Sequence, residues 1–185
     1  MFPVGGVGVM LLGAVLAGLV FLGLALALRR RFGTVWAFSF AGFLWSLVVV
    51  ALVTLIPYAG APGVVPAEQA QTMCSFDYGG PAPQGFWLFS NGQRTLNTAL
   101  FVPSGALMTL MLARWRSAVV LVPLGLVGLL GYSVAIETAQ LVFARLDRSC
   151  DITDVVDNVT GAAIGVGVGL VLALVLRPHR RRDRR

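Results

Sequence analysis

Charge is scarce in this chain of 185 residues: 12% of positions are Asp, Glu, Lys or Arg, while 57% are hydrophobic and the mean hydropathy is +0.85. No stretch is polar enough for a soluble domain, and the balance belongs to the polytopic membrane class. Histidine occurs once, at His179, and cysteine twice, at Cys74 and Cys150, so no zinc-ligand spacing can be assembled. A glycine loop of the kind that cradles phosphates is also missing. The 14 basic residues give a net charge of +6 and a pI near 10.6. They flank apolar runs without interleaved aromatics, which argues against a nucleic-acid partner and for membrane orientation and anionic lipid contact.

Five apolar runs are present instead, at about residues 4–28, 35–58, 96–113, 117–136 and 155–176. Each is near the roughly 20 residues that a helix needs to cross a bilayer. The expected fold is an all-α, polytopic membrane helix bundle of about five transmembrane helices, forming a single domain over residues 1–185. Arg29 to Arg31 follow the first run, Arg114 and Arg116 separate the third and fourth, and six arginines follow the fifth. Alternating crossings put all three groups on one face, which the positive-inside rule makes cytoplasmic. The expected N-terminus is then outside, 59–94 is an extracytoplasmic loop and 177–185 a basic cytoplasmic tail. A cleaved signal peptide is a poorer reading of residues 1–28, because its arginines follow the apolar core instead of preceding it.

The loop is rich in proline and glycine and reads as a lid or lining, with Phe76, Tyr78, Phe86, Trp87 and Phe89 suited to a bilayer-interface belt. Trp36 and Trp115 suit the same belt on the inner face. Both cysteines fall on the expected outer side, where a Cys74–Cys150 disulfide would persist and pin the loop. Two independent thiols are the alternative. Gly161, Gly165 and Gly169 form overlapping GxxxG repeats for close helix packing within the chain, homodimerisation being the other use.

Polar groups enter three of the spans near one depth. Arg94 and Asn97 open the third, where Asn97, Phe101 and Gly105 share a face and Pro103 is expected to break or kink the helix. Ser133, Glu137 and Gln140 form a stripe on the fourth. Asp151, Asp154 and Asn158 lead onto Gly161 and Gly165 in the fifth, with Arg148 just before them. Helix capping explains one or two of these residues but not their convergence. The expectation is one polar cluster at the outer mouth of the bundle.

These motifs resemble those of the VanZ-like family, whose namesake is associated with teicoplanin resistance. The resemblance covers about residues 54–165 and rests on Thr54-Leu-Ile-Pro57, Asn97-x3-Phe101-x-Pro103-x-Gly105, Ser133-x3-Glu137-x2-Gln140, and Arg148-x2-Asp151-x2-Asp154-x3-Asn158-x2-Gly161-x3-Gly165. Asp157, where such proteins are usually apolar, and the Cys74 loop are particular to this chain. The resemblance implies a bacterial cytoplasmic (inner) membrane location and an envelope function at its outer face, and supplies no mechanism.

The favoured expectation is a non-enzymatic protein whose cluster recognises a lipid or cell-wall precursor head group, or affects glycopeptide access. Arg94 and Arg148 would offer donors to phosphate, and Asn97, Gln140 and Asn158 neutral hydrogen bonds. No cofactor is established by the residues. A membrane enzyme is the rival, with Glu137, Asp151 and Asp154 holding Mg²⁺ or Ca²⁺. Ser/His catalysis is disfavoured, since His179 lies across the membrane, and a small transporter is a third reading.

Overall fold

The computed structural model describes residues 6–56, 73–77, 92–142 and 150–176. They form five helices: α1 (Val7–Phe32), α2 (Thr34–Leu55), α3 (Gly92–Leu112), α4 (Ala118–Val142) and α5 (Ile152–Leu176). All five are long and apolar enough to cross a membrane, and the only strand-like pairing among the described residues is one isolated bridge. The polar ends of the spans are more helical than hydropathy implies. α3 begins at Gly92, inside the expected loop 59–94; α4 continues to Val142; α5 starts at Ile152. The fourth apolar run ends at residue 136, before the first charged residue, and the helix continues through Glu137 and Gln140, which share the expected stripe with Ser133 and are buried.

Gly33 alone joins α1 to α2. Its φ of 92° is one that glycine adopts without Cβ strain, and it lets the chain reverse in a single residue. Its amide closes α1 on the Arg29 carbonyl, and its own carbonyl accepts the first amide bond of α2, from Ala37. Arg114, in the short turn after α3, donates to the Phe32 carbonyl at 2.7 Å and so satisfies an orphan acceptor at the end of α1. Trp36 lies here, stacked on Phe40 with centroids 5.0 Å apart and edge-on to Trp115. We call this the arginine end of the bundle; the opposite end, with residues 73–77 and the N-termini of α3 and α5, is the loop end.

Burial inverts hydropathy. α3 has the lowest hydropathy of the five, 1.4, yet 44% of its most apolar stretch is buried; α1 has the highest, 2.7, with 6% buried. A helix carrying Arg94, Thr98, Ser104 and Thr109 avoids lipid by sitting among its neighbours, whereas α1 loses nothing by facing acyl chains. The apolar core gathers around Phe101, Val50, Met108, Leu129, Ile136 and Ala162.

α3 and α5 approach nearly backbone to backbone. A Cβ on Gly161 would overlap the Thr98 carbonyl, one on Gly165 the Val102 carbonyl and one on Gly169 the Ala106 carbonyl. Each α3 residue sits 63 positions before its α5 partner, so the two helices run parallel in a register that advances four residues at a time. The GxxxG repeats are thus used within the chain, and Gly105 completes the fit against the Ala162 carbonyl. Pro103, expected to break or kink α3 and to take part in packing, does not break it and is not buried. The helix continues through it, and the residue faces out of the bundle, where a missing amide does not disturb the α5 interface.

Candidate functional site

The same 63-residue register, one turn before Thr98 and Gly161, brings Arg94 to Asp157. Arg94 donates from Nε to Oδ2 at 2.9 Å and from Nη2 to Oδ1 at 2.8 Å, a bidentate pair whose side chains are 6% and 0% exposed. Asp157 thus does what nothing in the residue pattern assigned to it. A carboxylate inside an apolar span needs a buried cation, and Arg94 stands at the matching depth. That mutual need was the available signal.

Around this pair, three helices supply the remaining polar groups. Asn158 on α5 donates from Nδ2 to Ser133 Oγ on α4 at 2.9 Å, with both residues buried. Gln140 Nε2 reaches the Thr54 carbonyl in the last turn of α2 at 3.0 Å. Thr54 Oγ1 in turn bonds back to the Val50 carbonyl. Two buried oxygens, Gln140 Oε1 and Thr98 Oγ1, have no hydrogen-bond partner among the described residues. Thr98 Oγ1 stands one turn below the Arg94–Asp157 pair.

The N-terminus of α5 is capped twice. Asp151 Oδ1 accepts the Thr153 amide at 2.8 Å, and Glu137 Oε2, from α4, accepts the Asp151 amide at 3.0 Å. Both place negative charge where the helix dipole is positive. A strap from the long connection lies against this cap. Ser75 donates to the Cys150 carbonyl at 2.9 Å and accepts from Ile152 at 3.0 Å, making a parallel bridge with Asp151. Cys74 and Cys150 are joined by a disulfide, with Cα atoms 4.7 Å apart, inside the usual range.

The structure therefore brings Arg94, Ser133, Glu137, Gln140, Asp151, Asp154 and Asn158 to one end of the bundle, most of them buried. Asn97 is half-buried there, and its side chain makes no hydrogen bond among the described residues. Asp151 and Asp154 are also half-buried, Asp154 in the first turn of α5. Glu137, Asp151 and Asp154 do not assemble into a metal-holding group. Glu137 and Asp151 turn oxygens toward backbone amides, and no cluster of three acidic, Cys or His side chains suited to a metal occurs among the described residues. Arg145, Arg148, Pro57, the loop aromatics other than Phe76, and the tail with His179 lie outside the described residues. Phe76 and Met73 of the strap are 79% and 76% exposed.

Comparison with known families matches residues 43–174 to the VanZ/LLP1 model, while no curated protein and no solved structure matches the chain. The matched region runs from the middle of α2 to the last turn of α5 and holds every side chain of the buried cluster. It covers more than half of the 185 residues, and this multi-pass membrane protein therefore belongs to the VanZ/LLP1 family.

Proposed function

We propose that the loop end faces the outside of a bacterial cytoplasmic membrane and recognises the head group of a lipid or lipid-linked cell-wall precursor, thereby modulating envelope properties and susceptibility to glycopeptides such as teicoplanin. The observation that carries this reading is the arrangement in two layers. The lower layer, Arg94–Asp157 and Asn158–Ser133, is internally paired and buried. Above it, Asp151 and Asp154 stay partly accessible around the capped α5 N-terminus, beside a rim fixed by the disulfide, while half-buried Asn97 stands one turn below Arg94.

With Arg94 engaged by Asp157, the phosphate-donor role in this reading passes to Arg148, three residues before Asp151. Asp151 and Asp154 then meet donor groups, such as sugar hydroxyls or an ammonium. A binding role is favoured over metal-dependent catalysis because the Glu137 and Asp151 oxygens already cap a helix.

Orientation is tested with accessibility probes: positions 65 and 147 should label from outside, and 31, 115 and 183 from the cytoplasm. Position 147 labelling together with 115 overturns the reading. For binding, the protein in lipid nanodiscs is titrated with lipid-linked precursor and followed by native mass spectrometry. Saturable binding is expected without turnover, insensitive to chelators and weakened about 1–3 kcal/mol by Asp151→Asn. Metal-dependent product formation that is lost in Asp151→Asn would replace the binder by an enzyme.

A further inference from the structure

The α1–α2 hairpin lies mostly outside the matched family region and bears a second feature, at the other end of the molecule. Its helices are antiparallel, with Gly13 opposite Leu52 and Gly18 opposite Trp45. Between them runs an open apolar groove of about 250 Å³, with Gly18, Ala25, Ala41 and Gly42 as small lining residues and Phe21, Leu22, Phe38 and Trp45 as larger ones. The groove exists because its floor is small: Ala25 and Ala41 are 1% and 2% exposed, whereas the neighbouring Leu19 and Val20 are more than 60% exposed. Trp45 is held across the hairpin by a 2.8 Å bond from Nε1 to the Ala14 carbonyl and lines the end of the groove away from the arginines.

Gly18, Leu22 and Ala25 follow helical spacing, and the next residue on their stripe is Arg29. Arg29, Arg30 and Arg31 are all exposed. From Gly18 to Arg29 a helix rises about 16 Å, half of a hydrocarbon core roughly 30 Å thick and so the depth of one leaflet. The volume falls below the roughly 300–1,000 Å³ of pockets that enclose compact ligands, which suits a single slender chain. An apolar trough bordered by Trp45 at its inner end, with a cluster of cations one helical turn beyond Ala25, spans one leaflet together with those cations and has the shape and charge of a two-part ligand.

We infer that this groove binds one acyl chain of an anionic phospholipid from the leaflet at the arginine end, with the lipid phosphate held by Arg29 and its neighbours. Charge complementarity selects the head group and the small-residue floor seats the chain. The site is independent of the loop-end cluster, which lies at the opposite end of the bundle.

Trp45 is the built-in reporter. The full-length protein is placed in nanodiscs containing lipids brominated near the chain terminus, either anionic phosphatidylglycerol or zwitterionic phosphatidylcholine. The Trp45 signal is taken as the difference between wild type and Trp45→Phe. At equal mole fraction the anionic lipid should quench Trp45 more effectively, and Arg29→Gln should reduce that preference by about fivefold. Arg116→Gln, at the same end but off the hairpin, should leave the preference intact, which separates a seated lipid from general enrichment around a basic surface. Equal quenching by the two lipids overturns the proposal, as does a preference that survives Arg29→Gln combined with Arg30→Gln. Protection of Trp45 from both lipids does so too, by pointing to a second copy of the chain covering the groove.

Discussion

Two helix pairs in this molecule pack by opposite means. Along α3 and α5, backbone meets backbone through Gly105, Gly161, Gly165 and Gly169, and the parallel register ends in a buried ion pair. Along α1 and α2, contact is made by the tips of Leu52 and Trp45 over glycines, and a groove stays open. Lipid tails are as apolar as leucine, so burying leucine gives little drive for helix association in a membrane. Polar side chains and glycine backbones gain from association and leucine stripes do not, which is why the least hydropathic helix is innermost and the most hydropathic is peripheral.

The largest effect should come from unpairing the buried charges. Arg94→Met or Asp157→Leu alone leaves an ion without its partner inside the bundle, and should cost about 3–5 kcal/mol, read as loss of monodisperse protein in detergent or a large drop in unfolding temperature. The double variant removes both charges and should recover most of that stability. Recovery of the fold without recovery of precursor binding would show that the pair also shapes the layer above it. No recovery would mean that the carboxylate or the guanidinium has obligations outside the pair.

Next in size is the glycine seam. Gly161→Ala and Gly165→Ala place a methyl group against a rigid carbonyl on α3, and should destabilise by about 1–3 kcal/mol despite the better helix propensity of alanine. Gly13→Ala in the hairpin meets only the tip of Leu52, at 3.1 Å, and should cost much less; Gly18→Ala meets the hydrogen-bonded Trp45 Nε1, at 3.2 Å, and should fall between the two. Thermal unfolding of the four variants in one detergent tests this. Equal losses in the two pairs would contradict the contrast drawn between them.

Five spans were legible because a bilayer demands long apolar runs, and the polar convergence was legible because charged groups rarely stand at one depth on three spans without a common reason. The pairing of Arg94 with Asp157 was not. Nothing local in either segment encodes a 63-residue offset; it follows from glycines on α5 that let α3 come close, a tertiary fact. Asp157 was passed over because it departs from the family pattern, whereas its position in an apolar span was itself the clue. The strap was half legible: two outer cysteines implied a pinned loop, but the bridge between Ser75 and Asp151 depends on which edge of the α5 cap stays open. Apolar runs alone under-read the helix ends, but the i, i+4, i+7 stripe of Ser133, Glu137 and Gln140 extended the fourth helix correctly past its apolar run.

Reduction of the Cys74–Cys150 disulfide should act locally. The chain-entropy model gives on the order of 4–5 kcal/mol for a loop of this length, but helices held in a bilayer already restrict the reduced chain, so the realised loss should be well below that bound. Hydrogen exchange after mild reduction should rise at residues 73–77 and 150–153 while the α3–α5 seam stays protected. Exchange rising along the seam would show that the strap, not the glycines, holds the pair.

The smallest effects belong to the hairpin. Trp45→Phe keeps an aromatic ring beside the groove and deletes the bond to the Ala14 carbonyl, a loss of about 0.5–1.5 kcal/mol. Gly23→Ala adds a methyl group where nothing lies within 4 Å, so the propensity of alanine acts unopposed and stability should hold or rise by up to about 1 kcal/mol. Set beside Gly161→Ala, it makes the same chemical change in two helices of one protein with opposite signs expected. A sign reversal in matched unfolding measurements would locate the stability of this fold in the glycine seam; a loss at Gly23 would instead reveal a partner against the outer face of α1.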